Sequence, residues 1–420
     1  GSSNEVVLNF GLAGTTLTPQ SESQIKGFDV LGVTSAIGTG DLTVNVAAFS
    51  NDPIHTLDVQ GGAATGSLTF SNVTAGTLLQ VDAGDPQALI VQTADLQGPS
   101  DSLSVYLGQA GASGNATTTA LTLEDGLLQG IGSVTLNAPG SSGYTQTVSQ
   151  FTDLALGSLT LSGTQSLLVS TLTDQATALT VTDLTAGSTI DTLADPNLAT
   201  LTLSGNLSLS LAHDAVSSGV TVNAGGDNAT VALNFTSGAA AGATDQITLG
   251  NGNNTVIDPS ASGHLSITVG SGSNQIVLAG SGIQGSITLG SHAAGTTDQI
   301  SLGAVGTAGN QAQVLVTGFS PGTDQIHFLA DPLAGSAVIA ISQTAAATYA
   351  AAHGLDLTQL STWIDGALAS NGLNLGSHGV ATFQFNGNTY LLEQAGATGS
   401  AFGSGDTLVG LTGLLTITHL

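Results

Sequence analysis

Short runs in which apolar and polar residues alternate dominate the first half of the chain. Residues 42–46, 67–70, 133–136 and 158–161 are examples, and most such runs lie close to Gly, Asn or Asp. Alternation with a period of two between turn-forming residues predicts β-strands that bury one face. No clear amphipathic helix separates the runs, so the pattern favours stacked sheets over an α/β fold. We expect an all-β fold, with a β-sandwich or a β-solenoid over residues 1–225.

One short sequence occurs twice in this part of the chain. Leu-Thr-Leu-Ser-Gly occupies residues 159–163 and again residues 201–205. In a solenoid, each copy would belong to one rung of a repeating structure. The other interpretation is that a β-rich chain built from few residue types repeats itself by chance. The sequence leaves both interpretations open.

Two changes in composition divide the rest of the chain. Gly and Asn become more frequent from about residue 225. Further on, Pro332 follows a strand-like run that ends at Leu329, and proline cannot donate to a continuing β-ladder. We therefore expect a β-roll segment over residues 226–330 and a small α+β module over residues 331–420.

The C-terminal module contains the only good helix candidates. They are residues 343–353 and 358–369, which are rich in Ala and Leu. After them, Asn386-Gly387 stands between two strand-like runs and predicts a β-hairpin. Trp363 is the single Trp of the chain and lies in the second predicted helix. We expect it to be a core residue, because large aromatic side chains mostly serve packing.

Composition changes this picture mainly through charge. The chain has 28 acidic residues, one Lys and no Arg, which gives a formal net charge of −27. Its carboxylates must therefore be solvated, hydrogen-bonded or bound to cations, and divalent metal ions are the obvious candidates. Nucleic acid and anionic membrane surfaces are disfavoured as partners, because phosphate binding relies on Lys and Arg. A hydrophobic content of 41% argues against disorder.

Neither a membrane span nor catalytic equipment is visible in the sequence. No run reaches about 18 apolar residues, and no basic and apolar leader opens the chain, so we expect no transmembrane helix and no N-terminal signal peptide. None of the eight His are spaced as in a zinc helix, there is no G-x-S-x-G motif, and Cys is absent. We expect a protein that is not an enzyme. The sequence does not exclude a pair of carboxylates of the glycosidase type, because the fold determines the distance between two such groups.

Residues 242–328 carry the most informative pattern. Residues 250–257 and 270–277 match the later part of the nonapeptide G-G-x-G-x-D-x-U-x, with Asn in place of the Asp. In that repeat, glycines allow a tight turn and expose carbonyl oxygens, and the carboxylate supplies charge. Thr-Asp-Gln-Ile occurs three times, starting at Thr244, Thr297 and Thr323. Calcium fits such a pattern, because it takes six to eight oxygen ligands in flexible geometry.

We therefore expect calcium ligands among the Asp and Asn residues of this segment. The candidates are Asp227, Asp245, Asn251, Asn253, Asn254, Asp258, Asn274, Asp298 and Asp324. Asn keeps an oxygen but loses a charge, so we expect few ions, centred on the Thr-Asp-Gln-Ile aspartates. The alternative is a metal-free β-roll in which Asn side chains and turn hydrogen bonds replace the ions.

Three stretches of the chain are similar to one known family, the RTX-type, type I-secreted S-layer proteins of Gram-negative bacteria, such as that of Caulobacter. The first stretch is the degenerate nonapeptide region, which would be an RTX-like β-roll. Residues 316–326 resemble the segment that closes many RTX β-rolls, and residues 383–391 with 406–413 resemble the C-terminal end of the family. The specific likeness covers residues 240–420.

The resemblance implies an extracellular structural protein. In that family, an uncleaved secretion signal lies at the C-terminus, and external calcium folds the chain and drives its assembly into a two-dimensional lattice on the cell surface. Calcium is then the cofactor, and the partners are other copies of the chain. Cell-surface polysaccharide or lipopolysaccharide is a second candidate partner, although the family's N-terminal anchoring region has no recognisable counterpart here. The alternative is a secreted calcium-binding adhesin of the RTX type.

Overall fold

A computed structural model gives the fold, and the chain divides into two compact units, Gly1–Ala212 and His213–Leu420. The structure describes residues 4–8, 26–33, 41–49, 54–60, 66–82, 88–94, 101–127, 129–212, 219–226, 230–235, 243–258, 264–279, 283–303, 313–329, 338–354, 359–370, 379–394 and 406–417. Among these residues, no helix combines the length and the apolar character needed to cross a membrane.

The described residues of the first unit form mostly strands that follow one another along the chain, with one short 3-10 helix among them at Val46–Phe49. The strands are β1 (Glu5–Leu8), β2 (Val30–Val33), β3 (Leu42–Asn45), β4 (Thr56–Val59), β5 (Ser67–Val73), β6 (Leu78–Val81), β7 (Ala88–Thr93), β8 (Ser102–Leu107), β9 (Ala116–Glu124), β10 (Ser133–Ala138), β11 (Thr145–Thr152), β12 (Ser158–Gly163), β13 (Ser166–Thr173), β14 (Ala178–Ala194) and β15 (Thr200–Ala212).

Strands of the first unit pair in parallel with the strand two positions further along the chain. One stack runs through β2, β4, β6, β8, β10 and β12, and the other through β3, β5, β7, β9, β11 and β13. Strand β14 joins both stacks, because its first part pairs with β12 and its last part pairs with β13. Each turn therefore contributes one strand to each stack, which is a parallel β-solenoid.

The alternating pattern explains why these strands stack. On their inner side, one column holds Leu103, Val134, Leu159, Val181 and Leu203, one residue per turn and all at most 2% exposed. Burying each such side chain stabilises the fold by about 1.5–3 kcal/mol. The neighbouring positions point outward and are polar. A turn that shifted by one residue would expose this column, so the pattern fixes the register.

The second unit repeats the two-stack arrangement and adds a small α+β module. Its strands are β16 (Thr221–Ala224), β17 (Val231–Phe235), β18 (Thr244–Leu249), β19 (Thr255–Asp258), β20 (His264–Thr268), β21 (Gln275–Leu278), β22 (Gln284–Thr288), β23 (Gln299–Leu302), β24 (Gln313–Thr317), β25 (Gln325–Phe328), β26 (Ile339–Ala340), β27 (Gly379–Phe385), β28 (Asn388–Gln394) and β29 (Thr407–Leu411). Its helices are α1 (Gln343–His353) and α2 (Leu360–Ser370).

The two stacks of the second unit are again parallel. Strands β16, β18, β20, β22, β24 and β29 form one, and β17, β19, β21, β23 and β25 form the other. Strand β29 also pairs antiparallel with β28, and β28 with β27. The α+β module is thus attached to the solenoid turns through β29.

Trp363 of α2 lies at the centre of the module's core. It is 7% exposed, and its ring centroid lies 4.8 Å from that of Phe383, which stacks on Tyr390. The predicted hairpin is present between β27 and β28. Its turn residues Asn386 and Gly387 have φ values of 47° and 80°, the left-handed conformation that this sequence favours.

The all-β prediction is confirmed, and of the two alternatives the structure has the solenoid rather than the sandwich. The two Leu-Thr-Leu-Ser-Gly copies lie two turns apart, with Leu159 and Leu203 in one column. The β-roll segment and the module with two helices and a hairpin are also present. The domain boundaries at residues 225 and 330 stay predictions.

Candidate functional site

Four of the predicted ligand residues form a continuous ladder in the second unit. This polar ladder consists of Asn254, Asn274, Asp298 and Asp324, which directly precede β19, β21, β23 and β25. The Oδ1 atoms of Asn274, Asp298 and Asp324 each accept the backbone N–H of the preceding ladder residue, at 3.3, 2.9 and 3.1 Å in that order. Each turn is therefore tied to the next by a buried side chain.

The two asparagines also fill the centres of their own glycine turns. The Nδ2 atom of Asn254 donates to the carbonyl oxygens of Gly250 and Gly252, both at 2.9 Å, and lies 3.0 Å from Asn274 Oδ1. Asn274 repeats the arrangement with Gly270 and Gly272 at 3.2 and 3.0 Å. The amide thus lies among three oxygens, where a cation would otherwise bind.

Glycine is required in these turns because successive turns approach closely. A Cβ atom on Gly272 would overlap the carbonyl group of Gly252, and one on Gly270 would overlap that of Gly250. The glycines that the sequence pattern singled out therefore serve the close stacking of turns as well as the exposure of carbonyl oxygens.

At Asp298 the side chain in the ladder changes from an amide to a carboxylate. A carboxylate cannot donate to the carbonyl oxygens as an amide does. Asp298 is 1% exposed, and its Oδ2 atom has no hydrogen-bond partner within the described residues. Burial raises the pKa of Asp298, although hydrogen bonds from Asn274 oppose that shift. This oxygen therefore lies in a buried position that calls for a proton or a cation.

His292 lies beside the two aspartates of the ladder. Its Nε2 atom is 3.0 Å from Asp324 Oδ2, which also accepts the backbone N–H of Ser320 at 2.8 Å. His292, Asp298 and Asp324 each offer one ligand atom, and these three atoms lie within 4.8 Å of one another. Within the described residues, they are the only such group of three or more His, Asp or Glu side chains. The cluster combines one imidazole nitrogen with two carboxylates.

The other predicted ligands lie apart from this cluster. Asp245 is in β18, on the opposite stack, where its Oδ1 accepts the backbone N–H of Val220 at 2.8 Å. The three Thr-Asp-Gln-Ile copies are therefore not equivalent in space. Asn251 and Asn253 are exposed and accept backbone N–H groups from the next turn. Asp258 is buried at the end of β19, and Asp227 lies outside the described residues.

A surface cavity of about 320 Å³ lies beside the ladder. Its lining residues are Ser273, Asn274, Gln275, Thr297 and Gln299. All of these side chains are polar and uncharged, so the cavity offers hydrogen bonds but no acid–base pair. Such a lining suits water or a polar group of a ligand and does not provide the residues of a hydrolytic site.

A second set of buried carboxylates lies in the first unit, far in sequence from the predicted calcium ligands. This aspartate column consists of Asp125, Asp153, Asp174 and Asp195, which follow β9, β11, β13 and β14. All four are at most 1% exposed, and the Oδ2 atom of each has no hydrogen-bond partner within the described residues. Each turn of this region therefore carries one buried carboxyl group.

In each carboxyl group of the column, the Oδ1 atom accepts hydrogen bonds from backbone N–H groups. Asp153 Oδ1 accepts the N–H of Ile131 from the preceding turn at 2.8 Å. Asp174 Oδ1 accepts the N–H of Leu156 at 3.1 Å and that of Gln175 at 2.7 Å. Burial raises the pKa of Asp153 to about 8 and that of Asp174 to about 6, and these hydrogen bonds only partly offset the desolvation.

A sequence signal for this column exists. Phe151-Thr152-Asp153, Leu172-Thr173-Asp174 and Leu193-Ala194-Asp195 each place an Asp after an apolar residue and a small one at the end of a strand-like run, at a constant interval. An Asp beside a strand is also the usual mark of a turn. Only the repeat of the triplet distinguishes these buried carboxyl groups from ordinary turn residues.

The fold and these sites define a parallel β-solenoid protein whose turns are held together by buried Asn and Asp side chains. No known family model matches the chain, and no curated protein matches it.

Proposed function

We propose that this chain is a structural protein that assembles with copies of itself into a calcium-dependent two-dimensional lattice, an S-layer, on a bacterial cell surface. The observation that carries the proposal is the outer side of the first unit's strands. There Ser104, Thr135, Thr160, Thr182 and Ser204 form a column of small, uncharged hydroxyl side chains, one per turn. Adjacent strands in a sheet lie about 4.8 Å apart, so this surface offers hydrogen-bonding groups at a regular spacing.

A regular, uncharged polar surface suits contact with another copy of the same surface. Its hydroxyl groups can both donate and accept, so a matching array can satisfy them without charge complementarity. Symmetric assembly needs self-complementary or repeating patches, and a solenoid supplies a repeating one. The buried carboxyl groups cap backbone N–H groups turn by turn, which supports a structural rather than an enzymatic role.

The proposal includes calcium because the chain is strongly negatively charged. With a formal net charge of −27 and a single Lys, copies of the chain repel one another unless cations lie between them. Calcium suits this role, because it binds carboxylates in variable number and geometry. Within the chain, Asn254 and Asn274 already occupy their glycine turns and need no ion. The proposed calcium ions lie between copies of the chain, whereas the buried carboxylates of Asp298 and Asp324 lie within one chain.

Extracellular placement rests on the family resemblance. A C-terminal secretion signal would direct export, low cytosolic calcium would keep the chain unassembled until then, and external calcium would allow the lattice to form. Surface polysaccharide or lipopolysaccharide would be the attachment partner.

Electron microscopy of the purified chain tests the lattice directly. In millimolar calcium we expect ordered sheets, and in chelator we expect dispersed chains. Thr160→Glu adds a negative charge in the centre of the hydroxyl column and should prevent sheets while circular dichroism stays unchanged. Thr160→Ser, which keeps the hydroxyl group, is the matched control and should assemble. Dispersed monomers of the unaltered chain at high protein and calcium concentration would reject the lattice and favour the adhesin.

A further inference from the structure

The polar ladder replaces an amide by a carboxylate at the third of its four positions. At Asn254 and Asn274, the Nδ2 group supplies the partial positive charge that the surrounding oxygens need. At Asp298 the same place in the ladder holds a carboxylate oxygen without a partner. A buried carboxylate that is left uncompensated destabilises a protein by several kcal/mol. A proton or a positively charged group is therefore expected at this point.

The side chains at the site supply only one basic group. Arg is absent from the chain, and the single Lys is Lys26. His292 is the basic side chain in the cluster, and a proton on its imidazole balances only one of the two carboxylates. A divalent cation balances both Asp298 and Asp324 and leaves His292 neutral, the form in which imidazole binds metal ions.

The geometry is close to that of a metal site. A zinc ion about 2.1 Å from each ligand holds its ligand atoms about 3.4 Å apart. His292 Nε2 and Asp324 Oδ2 are 3.0 Å apart, and all three ligand atoms lie within 4.8 Å of one another. The Asp298 side chain is buried, and its Oδ2 atom is unpartnered. The His292 side chain is 14% exposed, which gives an ion a path to the site.

We propose that His292, Asp298 and Asp324 bind one divalent transition-metal ion of the zinc type. The imidazole decides the class of ion, because calcium and magnesium take oxygen ligands, whereas zinc accepts histidine nitrogen and carboxylate oxygen together. Three protein ligands leave a fourth position of the tetrahedral ion for water. This proposal does not depend on the lattice, since the site lies within one chain.

The ion would join two neighbouring turns of the second unit. His292 lies between β22 and β23, Asp298 directly precedes β23, and Asp324 directly precedes β25. Binding would therefore fasten the turn that carries His292 to the ladder and would stabilise the second unit by mass action.

Zinc binding is tested on the full chain after metal removal by a chelator and exchange into metal-free buffer. Titration calorimetry and melting curves are recorded with zinc chloride and, separately, with calcium chloride. We expect one zinc ion per chain at micromolar concentration and a rise in melting temperature on the order of 3–5 °C. Calcium at the same concentration should produce neither effect.

Two variants and a control locate the ion. Asp298→Asn introduces the residue that Asn254 and Asn274 already provide, so the chain should fold and should lose the zinc response. His292→Gln should also lose it. His264→Gln alters an exposed histidine of β20 and should keep the response of the unaltered chain. Since the zinc measurements are made without calcium on dispersed chains, a failure of the lattice does not affect their result.

The proposal is overturned by any of three results. In the first, the unaltered chain does not bind zinc. In the second, both variants still bind zinc. In the third, the site binds calcium more tightly than zinc. The first result would assign the cluster to a hydrogen-bonded His292–Asp324 pair with a protonated Asp298.

Discussion

The Oδ1 atom of Asp298 accepts two hydrogen bonds from Asn274 in the neighbouring turn, one from the backbone N–H and one from the side-chain amide, both 2.9 Å long. The same amide also donates to the carbonyl oxygens of Gly270 and Gly272. One side chain therefore closes its own glycine turn and contacts the next turn. In this arrangement an uncharged amide contacts the oxygen atoms that a bound cation could otherwise contact.

Exchanging Asn274 for Asp tests this view of the amide. The substitution keeps the size of the side chain but places an oxygen opposite Gly270 O, Gly272 O and Asp298 Oδ1. In chelator, we expect the free energy of unfolding to fall by about 2–4 kcal/mol, because a buried charge is left among acceptors. Urea denaturation measures the loss. Millimolar calcium should restore part of it, since the altered turn presents only oxygens.

Asn253→Asp is the control for that exchange. Asn253 lies in a glycine turn of the same kind but is exposed, so the added charge is solvated and should change stability by less than about 0.5 kcal/mol. Equal stability of Asn274→Asp and the unaltered chain in chelator would mean that the amide does not replace a cation.

The aspartate column predicts an unusual dependence of stability on pH. Asp153 has its pKa raised to about 8 and Asp174 to about 6, mainly by burial, from about 3.8. The folded chain therefore binds these protons more tightly than the unfolded chain does. The resulting stabilisation is fully present below about pH 4 and is lost as the pH rises through 6 and 8. We expect the free energy of unfolding, measured in urea, to fall between pH 5 and pH 9.

Asp153→Asn removes one ionisable group from this balance. The variant should be more stable than the unaltered chain at pH 9, by an amount on the order of a few kcal/mol, and its stability should vary less with pH. Asp41→Asn is the control, because Asp41 is exposed and hydrogen bonds from Ser67 lower its pKa. An unchanged pH profile in Asp153→Asn would show that Asp153 ionises in the folded chain as it does in the unfolded one.

The sequence predicts strands better than it predicts their partners. Alternation determines which side of a strand is buried, as at Leu159, and the Asn386-Gly387 pair determines a hairpin turn. Nothing local to Leu159 indicates that Val134 and Val181 flank it in its stack. Solenoid and sandwich bury the same positions, so the choice between them depends on contacts between turns of unequal length.

Only those residues of the candidate site that belong to a sequence motif could be predicted. Asp298 and Asp324 were found through Thr-Asp-Gln-Ile, because the Ile anchors the Asp at a fixed distance from the core. His292 was missed, because the turn before β23 brings it to Asp324 and no spacing rule marks such a loop contact. Asp153 and Asp174 were missed because an Asp after a strand normally marks a solvated turn.

The C-terminal module should depend strongly on Trp363. Its indole ring packs on Phe383, and deleting it leaves a cavity between α2 and β27. We expect Trp363→Ala to lower the free energy of unfolding of the module by about 3–5 kcal/mol. Calorimetry can follow this loss without the indole signal. Tyr349→Ala is the control, because Tyr349 is only half-buried and stacks on exposed His353, and it should lose less than half as much.

Gly163 tests how closely successive turns of the first unit approach. It ends β12 with a φ of +112°, and a Cβ atom there would overlap the carbonyl group of Ala138 in the preceding turn. Gly143 also has a positive φ, +89°, but a Cβ atom there meets nothing within 4 Å. Gly143→Ala should therefore lose only the conformational energy of about 1–2 kcal/mol.

Gly163→Ala should lose at least twice as much as Gly143→Ala, because the added methyl group must also push two turns apart. Urea denaturation of the two variants under identical conditions gives the comparison. Since both positions require a left-handed backbone, the difference between them isolates the contact between turns. Equal losses would mean that the turns can separate at Gly163 without disturbing the buried column beneath it.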